Sequence, residues 1–368
     1  MFKAFQPLLF AGLATLATSG AGREDARHLP AKPAAMSVQD NALSVMTYNI
    51  KGLPWPLALG RDDALAQIGQ RLAAMRREGQ QPHIVLLQEA FSAQAIATAR
   101  RAGYRHVAFG PDSALRSGSR ADAADIAYLE KARWDRGERM GKSLDSGLMI
   151  LSDYPISRID RMAFPDFACA GIDCMANKGV LIAHLAVPGM GPVSIVNTHL
   201  NARTAAMVPV ERSQRAFGRQ AALMARFIAS HVPDGQAMIL GGDMNIGSDR
   251  LRQGAFFTSF HQSGLPFVAP ALEGARQALA RSATDRGARP DLLHAVEHGK
   301  DWIFARNGDG APMAVVQAHV PFGSEGAGEP LSDHFGYVVH YQMPVRQTQA
   351  PVRFASRDPL PGRAADLR

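Results

Sequence analysis

Residues 237–245 read AMILGGDMN, an apolar run of strand length that passes through two glycines into an aspartate and an asparagine. A charge beside a buried strand must be paired, hydrated or bound to a metal. Strand ends are also where a rigid scaffold brings side chains together at one point. The segment therefore predicts a buried strand that holds Asp243 and Asn245 in a site.

Five other apolar segments repeat this arrangement, with polar side chains at one end of a predicted strand. A single polar residue at a strand end could have a purely structural role. Six strand ends that all carry such residues are hard to attribute to chance. The segments are LSVMTYN ending at Asn49, HIVLLQE ending at Glu89, VSIVNTHLN with His199 and Asn201, DWIFA beginning at Asp301, and FGYVVHY preceded by Asp333 and His334.

Hydrophobic periodicity predicts many strands and few intervening helices, which favours packed sheets with helices outside. Segment 112–145 is charged and weakly periodic, so we expect an irregular excursion there. Helices are predicted over 62–78, from a cap at Ser92 to Gly103, and over 211–231. Strands are predicted over 43–49, 83–88, 147–151, 179–185, 193–199, 237–241, 302–305, 314–318 and 335–341.

The composition is that of an ordinary globular protein, with 368 residues, 46% of them hydrophobic and 20% charged. The formal net charge of +7 attracts phosphate groups, in nucleic acid or at a membrane surface. No run of five or more Lys and Arg residues occurs, which argues against a dedicated nucleic-acid-binding arm.

The amino terminus has the pattern of an export signal. Lys3 precedes an apolar run over 7–18, and small residues follow at 19–21. The run is too short to span a bilayer. We expect a signal peptide over 1–21, a linker over 22–40, a catalytic domain over 41–343 and a disordered tail over 344–368. The mature protein would then be secreted or periplasmic.

The chain has two cysteines, Cys169 and Cys174. With no histidine beside them they make a poor zinc site. In an oxidising compartment they favour a local disulfide, with two free thiols as the alternative.

The candidate ligands are rich in carboxylate and amide oxygens, which suit a hard cation. We expect Mg²⁺, with Mn²⁺ or Ca²⁺ as alternatives. Such a cation stabilises negative charge on a phosphoryl group, and an aspartate or histidine serves as general base for water.

The ordered motifs resemble those of the endonuclease/exonuclease/phosphatase superfamily, the DNase-I-like phosphodiesterases. TYN at 47–49, QE at 88–89, THLN at 198–201, GGDMN at 241–245, DWIF at 301–304 and SDH at 332–334 occur in the family order. The resemblance spans about 43–341. It implies an α/β fold, a four-layer sandwich of two mixed β-sheets flanked by helices.

The resemblance also implies roles for the matching residues. Glu89 would be the main metal ligand, with Asn49 and Asp333 nearby. Asp243 would position or activate the water, and His334 would be the general base, oriented by Asp301. The phosphate would be held by Asn245, with Asn201 and Lys178, and His199 would stabilise the transition state or act as an acid.

Within the superfamily the sequence is most similar to neutral and secreted bacterial sphingomyelinases. The similarity lies in DSGLMILSDYPI at 145–156 and in CMANKGVLIAHL at 174–185. Lys178 would offer a point charge and Gly179 a close backbone approach to phosphate, although a simple turn explains the same residues. The implied enzyme is a monomer that acts on a phospholipid at a membrane surface.

One feature departs from the sphingomyelinase pattern. Those enzymes carry an aromatic-rich membrane hairpin at the place of segment 317–331. Here the segment contains one such aromatic residue, Phe322. Phe164 and Phe167 are candidates for a substitute membrane contact, or else they pack beneath their loop. A secreted DNase-I-like endonuclease acting on nucleic acid and a non-catalytic binding protein stay as alternative functions.

Overall fold

Two β-sheets form the centre of the molecule. The computed structural model describes residues 27–28, 42–53, 60–284, 287–324 and 329–343. Twelve strands lie within these residues: β1 Arg27–His28, β2 Ala42–Asn49, β3 Ile84–Gln88, β4 His106–Phe109, β5 Met149–Ser152, β6 Ile156–Ala163, β7 Gly179–Val187, β8 Gly191–His199, β9 Ala237–Asp243, β10 Asp301–Arg306, β11 Val315–Phe322 and β12 Gly336–Gln342.

Both sheets are mixed. The larger has the order β1-β4-β5-β3-β2-β12-β11, and the smaller has the order β10-β9-β8-β7-β6. Each contains one parallel pair, β2 with β3 in the larger sheet and β8 with β9 in the smaller. The parallel strands end at the same edge, which carries the polar residues that follow them.

Apolar side chains fill the space between the sheets and cover their outer faces. Leu43, Ile84, Ile195 and Ile239 belong to the interior cluster shared by both sheets. A second cluster packs helices against the smaller sheet, and a third packs helices against the larger one. The molecule is the expected four-layer sandwich of two mixed sheets flanked by helices.

Seven helices lie in the described residues, and the sequence predicted three of them closely. Ser92 caps α2 by accepting a hydrogen bond from the Ala95 amide at 3.1 Å, and Gly103 ends that helix with a φ of 75°. The helices are α1 Arg61–Arg77, α2 Ala93–Ala102, α3 Ala123–Glu130, α4 Val210–His231, α5 Arg250–Gln262, α6 Gly274–Ala280 and α7 Arg289–His298.

The expectation of an irregular excursion over 112–145 is wrong in part. Helix α3 forms there, begun by a reciprocal capping box between Asp122 and Asp125. Asp125 is buried and paired with Arg215 and Arg219 of α4, so ion pairs rather than an apolar stripe attach this helix. A short 3-10 turn follows at Trp134–Arg136.

A buried polar contact joins the two sheets just below the edge that carries the polar residues. The amide nitrogen of Gln88 on β3 donates to Oδ1 of Asn197 on β8 at 2.8 Å. Asn197 in turn donates to the carbonyl oxygens of Leu87 and Met149, both at 2.9 Å. Since these atoms are shielded from water, sliding of one sheet over the other would break all three bonds.

The expected signal peptide at 1–21 and tail at 344–368 lie outside the described residues, as does the linker except for Arg27 and His28. No helix in the described part of the chain is long and apolar enough to cross a membrane.

Candidate active site

Three neighbouring strands place His199, Asp243 and Asp301 in one row. His199 on β8 pairs in register with Asp243 on β9, and Asp243 pairs with Asp301 on β10. The row lies at the edge where the parallel pair of the smaller sheet ends. Asp243, the residue singled out by the AMILGGDMN segment, is therefore at the centre of the row.

Asn49 connects this row to the larger sheet. Its amide nitrogen donates to Oε1 of Glu89 at 2.9 Å and to Oδ2 of Asp243 at 3.0 Å. One amide thus holds two carboxylates, one from each sheet, close together. Burial raises the pKa of Glu89, and the hydrogen bond from Asn49 acts in the opposite direction.

Backbone conformation aims two of these residues. Glu89 has a φ of 56° and Asn245 a φ of 47°, both in the left-handed region that non-glycine residues seldom adopt. Gly52 packs against the Glu89 turn, since a Cβ at residue 52 would lie 2.6 Å from the Glu89 carbonyl oxygen. Such local strain is often found at functional sites.

His334 lies between two carboxylates. Its Nδ1 is 2.7 Å from Oδ2 of Asp301, and its Nε2 is 3.7 Å from Oδ2 of Asp243. Burial lowers the pKa of His334, but the two carboxylates outweigh burial and raise it to about 10. Burial raises the pKa of Asp243, but the charge of His334 and the hydrogen bond from Asn49 reverse this effect and lower it to about 2.

Lys178 is buried, and three groups surround its ammonium. Its Nζ lies 3.0 Å from Oδ2 of Asp173, 3.1 Å from Nε2 of His199 and 3.2 Å from the carbonyl oxygen of Leu200. An ammonium has three protons, so these partners use its whole donor capacity. Burial and the charge of Lys178 lower the pKa of His199 to about 4. The contacts of Lys178 are thus with His199, with the residue that follows it and with Asp173.

Asn245 and Asn201, both predicted to hold phosphate, are placed differently. The backbone amide of Asn245 donates to Oδ1 of Asp243 at 3.0 Å, and its half-buried side chain donates from Nδ2 to the carbonyl oxygen of Leu200 at 3.0 Å. Asn201 is fully buried, and its Oδ1 accepts the Ala170 amide at 2.9 Å. Its Nδ2 donates to the carbonyl oxygen of Ala202 at 2.9 Å. Asn201 therefore holds the neighbouring loop.

Asp333 is placed at the rim. Its side chain is 59% exposed and pairs with Lys51 at 3.1 Å. Among the described residues, the groups of acidic and histidine side chains close enough to share a cation contain Asp243 and leave out Asp333. The expectation that Asp333 lies beside Glu89 as a ligand is therefore not supported by its contacts.

Sequence reasoning missed Arg252 on α5, a fully buried arginine below the site. Its guanidinium donates to the carbonyl oxygens of Asn201 at 2.7 Å and Asn245 at 2.8 Å, and packs 4.4 Å from the Phe217 ring. It thus ties together the loops that follow β8 and β9. Arginine is seldom fully buried, so the sequence held no signal for this role.

The cysteines form the predicted local disulfide between Cys169 and Cys174. Phe164 and Phe167 are buried beneath this loop, so they do not offer the substitute membrane contact. Phe322 is also buried, and its ring stacks on Tyr48 at 4.9 Å between centroids.

The donor set fits a hard divalent cation. The ligand atoms of Glu89, His199 and Asp243 lie within 4.8 Å of one another, and so do those of Asp243, Asp301 and His334. Asn49 donates one hydrogen bond to each of two carboxylates, which come from different sheets. Oxygen-rich sets of this kind suit Mg²⁺ or Mn²⁺ better than zinc.

The fold and this site define the class of the protein. A model of the Endonuclease/Exonuclease/phosphatase family matches residues 46–334, which is more than half of the chain. The protein belongs to this family. Within it, the chain is similar to the sphingomyelinases of Mycobacterium tuberculosis and Mycobacterium bovis, with 25% identity over 312 residues. The alignment covers 81% of this chain and 52% of each relative, so the chain spans about half the length of these curated relatives.

Solved structures share the fold. A variant of beta toxin from Staphylococcus aureus with bound magnesium ions superposes with a TM-score of 0.55 and 16% identity, covering 82% of this chain and 99% of that one. Sphingomyelinase C from Streptomyces griseocarneus gives a TM-score of 0.50 and 20% identity, covering 81% and 99%. D. rerio TDP2 with a single-strand DNA product gives 0.50 and 16%, covering 82% and 100%.

Proposed function

We propose that the protein is an exported, metal-dependent phosphodiesterase that hydrolyses sphingomyelin or a related phospholipid and releases the phosphorylated head group. The observation that carries the proposal is the Asn49 amide, which holds the carboxylates of Glu89 and Asp243 together while Nε2 of His334 lies 3.7 Å from the same Asp243 oxygen. The expected signal at 1–21 supports export, to the periplasm or outside the cell.

Glu89 and Asp243 are the residues that would hold the cation, with Asn49 beside them. A bound divalent cation supplies positive charge for the phosphoryl oxygens and partly neutralises Asp243. Because Asp333 is paired with Lys51 at the rim, we leave it out of the ligand set.

His334 is the proposed general base. Asp301 fixes the orientation of its ring through Nδ1 and leaves Nε2 for a water. The charges of Asp301 and Asp243 together hold His334 protonated, with a pKa of about 10. Neutralising the charge of Asp243 removes one of these two influences and brings His334 closer to the neutral form that accepts a proton.

Lys178 supplies positive charge on this side of the site, and His199 lies beside it as a neutral imidazole, because its pKa is lowered to about 4. The ammonium of Lys178 lies against His199, whose Nε2 is 3.5 Å from Oδ2 of Asp243. Negative charge that builds up on the phosphoryl group during attack by water would be stabilised there. The half-buried amide of Asn245 is the remaining phosphate contact of the proposal.

The substrate class rests on the similarity to the mycobacterial sphingomyelinases. The test is a parallel assay of the purified protein on sphingomyelin vesicles and on plasmid DNA, each with Mg²⁺ and with EDTA. Asp243→Asn is the test variant. Asp234→Asn is the matched control, because it makes the same change at an exposed position.

We expect phosphocholine release that requires Mg²⁺ and Asp243 and survives Asp234→Asn, with the DNA left intact. Nicked DNA with intact lipid would indicate that the same residues catalyse DNA hydrolysis and that lipid is not the substrate. No hydrolysis of either substrate would contradict the proposed function and favour a binding protein.

A further inference from the structure

Half of the exposed large apolar side chains in the described part of the chain lie around one turn. Eight such side chains are exposed, and four of them are neighbours. These four are Trp134, Met207, Ile172 and Met140, with exposed fractions of 62%, 60%, 44% and 42%. We call them the Trp134 patch. Grouped apolar side chains on a surface mark a contact site more often than scattered ones do.

Backbone contacts bring Trp134, Met140 and Ile172 together. Trp134 and Met140 flank the turn at Gly137, whose amide donates to the Trp134 carbonyl oxygen at 2.9 Å and whose carbonyl oxygen accepts the Met140 amide at 3.3 Å. This turn packs on Ile172, since a Cβ at Gly137 would lie 3.0 Å from the Ile172 Cα.

Met207 joins them through the adjoining loop. The Ile172 amide donates to the carbonyl oxygen of Ala206 at 3.1 Å, which fixes the neighbouring Met207 beside it. Arg136 donates from Nη1 to the carbonyl oxygen of Met207 at 3.1 Å. Three separate segments of the chain thus build one surface.

Positive charge borders the Trp134 patch. The residues around the turn that carry exposed cationic side chains are Lys131, Arg133, Arg136 and Arg139. The exposed anions beside them are Asp135, which pairs with Arg133 at 2.6 Å, and Glu130 at the end of α3. An apolar centre with a cationic border is the chemistry that fits an anionic lipid surface.

The patch is also next to the candidate active site. Ile172 is followed by Asp173, which pairs with Lys178 at 3.0 Å, and Lys178 contacts His199 at 3.1 Å. A membrane that contacts Ile172 would therefore lie close to the active site, because the next residue, Asp173, belongs to the contacts that surround His199.

We propose that the Trp134 patch and its cationic border are the surface by which the protein docks on a lipid bilayer. The arginines contact anionic head groups, and Trp134 enters the interfacial region that tryptophan favours. A nucleic acid would use the arginines but gain little from Met140 and Ile172, so the apolar centre favours lipid. The inference rests on the proposed function, because a bilayer is where a phospholipid substrate would be found.

The test measures binding rather than hydrolysis. The full chain carries Asp243→Asn to prevent turnover and Trp55→Phe to remove a tryptophan that lies outside the described residues. Trp302 is buried, so the tryptophan fluorescence that a quencher can reach comes mainly from Trp134. The probes are vesicles of equal parts phosphatidylcholine and phosphatidylserine, with and without bromine on the acyl chains, and plasmid DNA.

We expect brominated vesicles to quench the fluorescence of Trp134. Trp134→Ser with Met207→Ser should weaken vesicle binding about tenfold, whereas the matched pair Leu293→Ser with Val316→Ser, also exposed, should leave binding unchanged. Absence of quenching, equal binding by both pairs, or binding to DNA alone would overturn the inference. Vesicle binding through Trp134 in a chain whose unsubstituted form hydrolyses no phospholipid would refute the proposed function and leave this surface standing.

Discussion

His334 and Asp301 are joined by a hydrogen bond of 2.7 Å between imidazole Nδ1 and carboxylate Oδ2, across 33 positions of sequence. The bond fixes the ring so that Nε2 is directed toward Asp243. Asp301→Asn keeps the shape but removes the charge that supports the imidazole. We expect kcat to fall by about 10²–10⁴-fold with little change in KM. Phosphodiesterase kinetics measure this, with the exposed Asp309→Asn as control. An unchanged kcat would show that Asp301 does not act through His334.

Arg252 should contribute stability from below the site. Arg252→Met removes the donors to the Asn201 and Asn245 carbonyl oxygens and leaves both without their buried partner. We expect the free energy of unfolding to fall by about 2–4 kcal/mol. Urea denaturation measures it, and Arg250→Met, exposed on the same helix, should stay within about 0.5 kcal/mol of wild type. Equal effects from the two variants would contradict the role of Arg252.

Gly242 should tolerate no side chain. Its φ is 138°, and a Cβ there would lie 2.1 Å from the Thr198 carbonyl oxygen on the paired strand. Gly191 has a φ of 76°, but a Cβ added there would have no atom within 4 Å. Gly191→Ala should cost about 1 kcal/mol from backbone strain alone, and Gly242→Ala should cost clearly more. Thermal unfolding of the two variants compares them, and similar melting temperatures would show that the strand pair accommodates the methyl group.

The disulfide between Cys169 and Cys174 closes a short loop. Replacing both cysteines by serine frees that loop in the unfolded chain, and we expect a loss of about 2 kcal/mol. Chemical denaturation of the oxidised protein and of the double variant gives the difference. A stability that does not change in the double variant would show that the contacts around Ala170 and Asn201 hold the loop without the disulfide.

Glu89 should determine how tightly the cation binds. Glu89→Gln removes one of the two carboxylates held by Asn49, and we expect the Mg²⁺ concentration needed for thermal stabilisation to rise about 100-fold. Exposed Glu78→Gln serves as control. Because the readout is the melting temperature as a function of Mg²⁺, it does not depend on turnover. Identical Mg²⁺ titrations of the two variants would exclude Glu89 as a ligand.

Sequence patterns predicted the centre of the fold well because each buried strand is an apolar run with a polar residue at its end. They missed β1, β4 and β6. The two residues of β1 pair with β4 inside the segment predicted as a linker, β4 has four residues, and β6 is a half-buried edge strand without clean alternation. Helix α3 lacked an apolar stripe, although its capping aspartates carried a readable signal.

For the site, motif order predicted which residues gather, but it did not predict their partners. Lys178 and Asn201 carry the right chemistry for phosphate, yet Asp173 and the Ala170 amide engage them. Such partners come from distant loops whose path depends on tertiary packing. The same is true of Arg252, whose burial follows from how α5 sits on two loops.

The polar contact between Gln88 and Asn197 has a mechanical consequence for the cation. Glu89 follows β3 in one sheet and Asp243 ends β9 in the other, so the spacing of the two carboxylates depends on the alignment of the sheets. A cation bound by both carboxylates would link the two sheets. Its affinity would therefore change whenever the sheets shift relative to each other. A substitution in this contact, which holds no cation itself, would then alter metal affinity through the alignment of the sheets, and a bound metal would stabilise the same alignment.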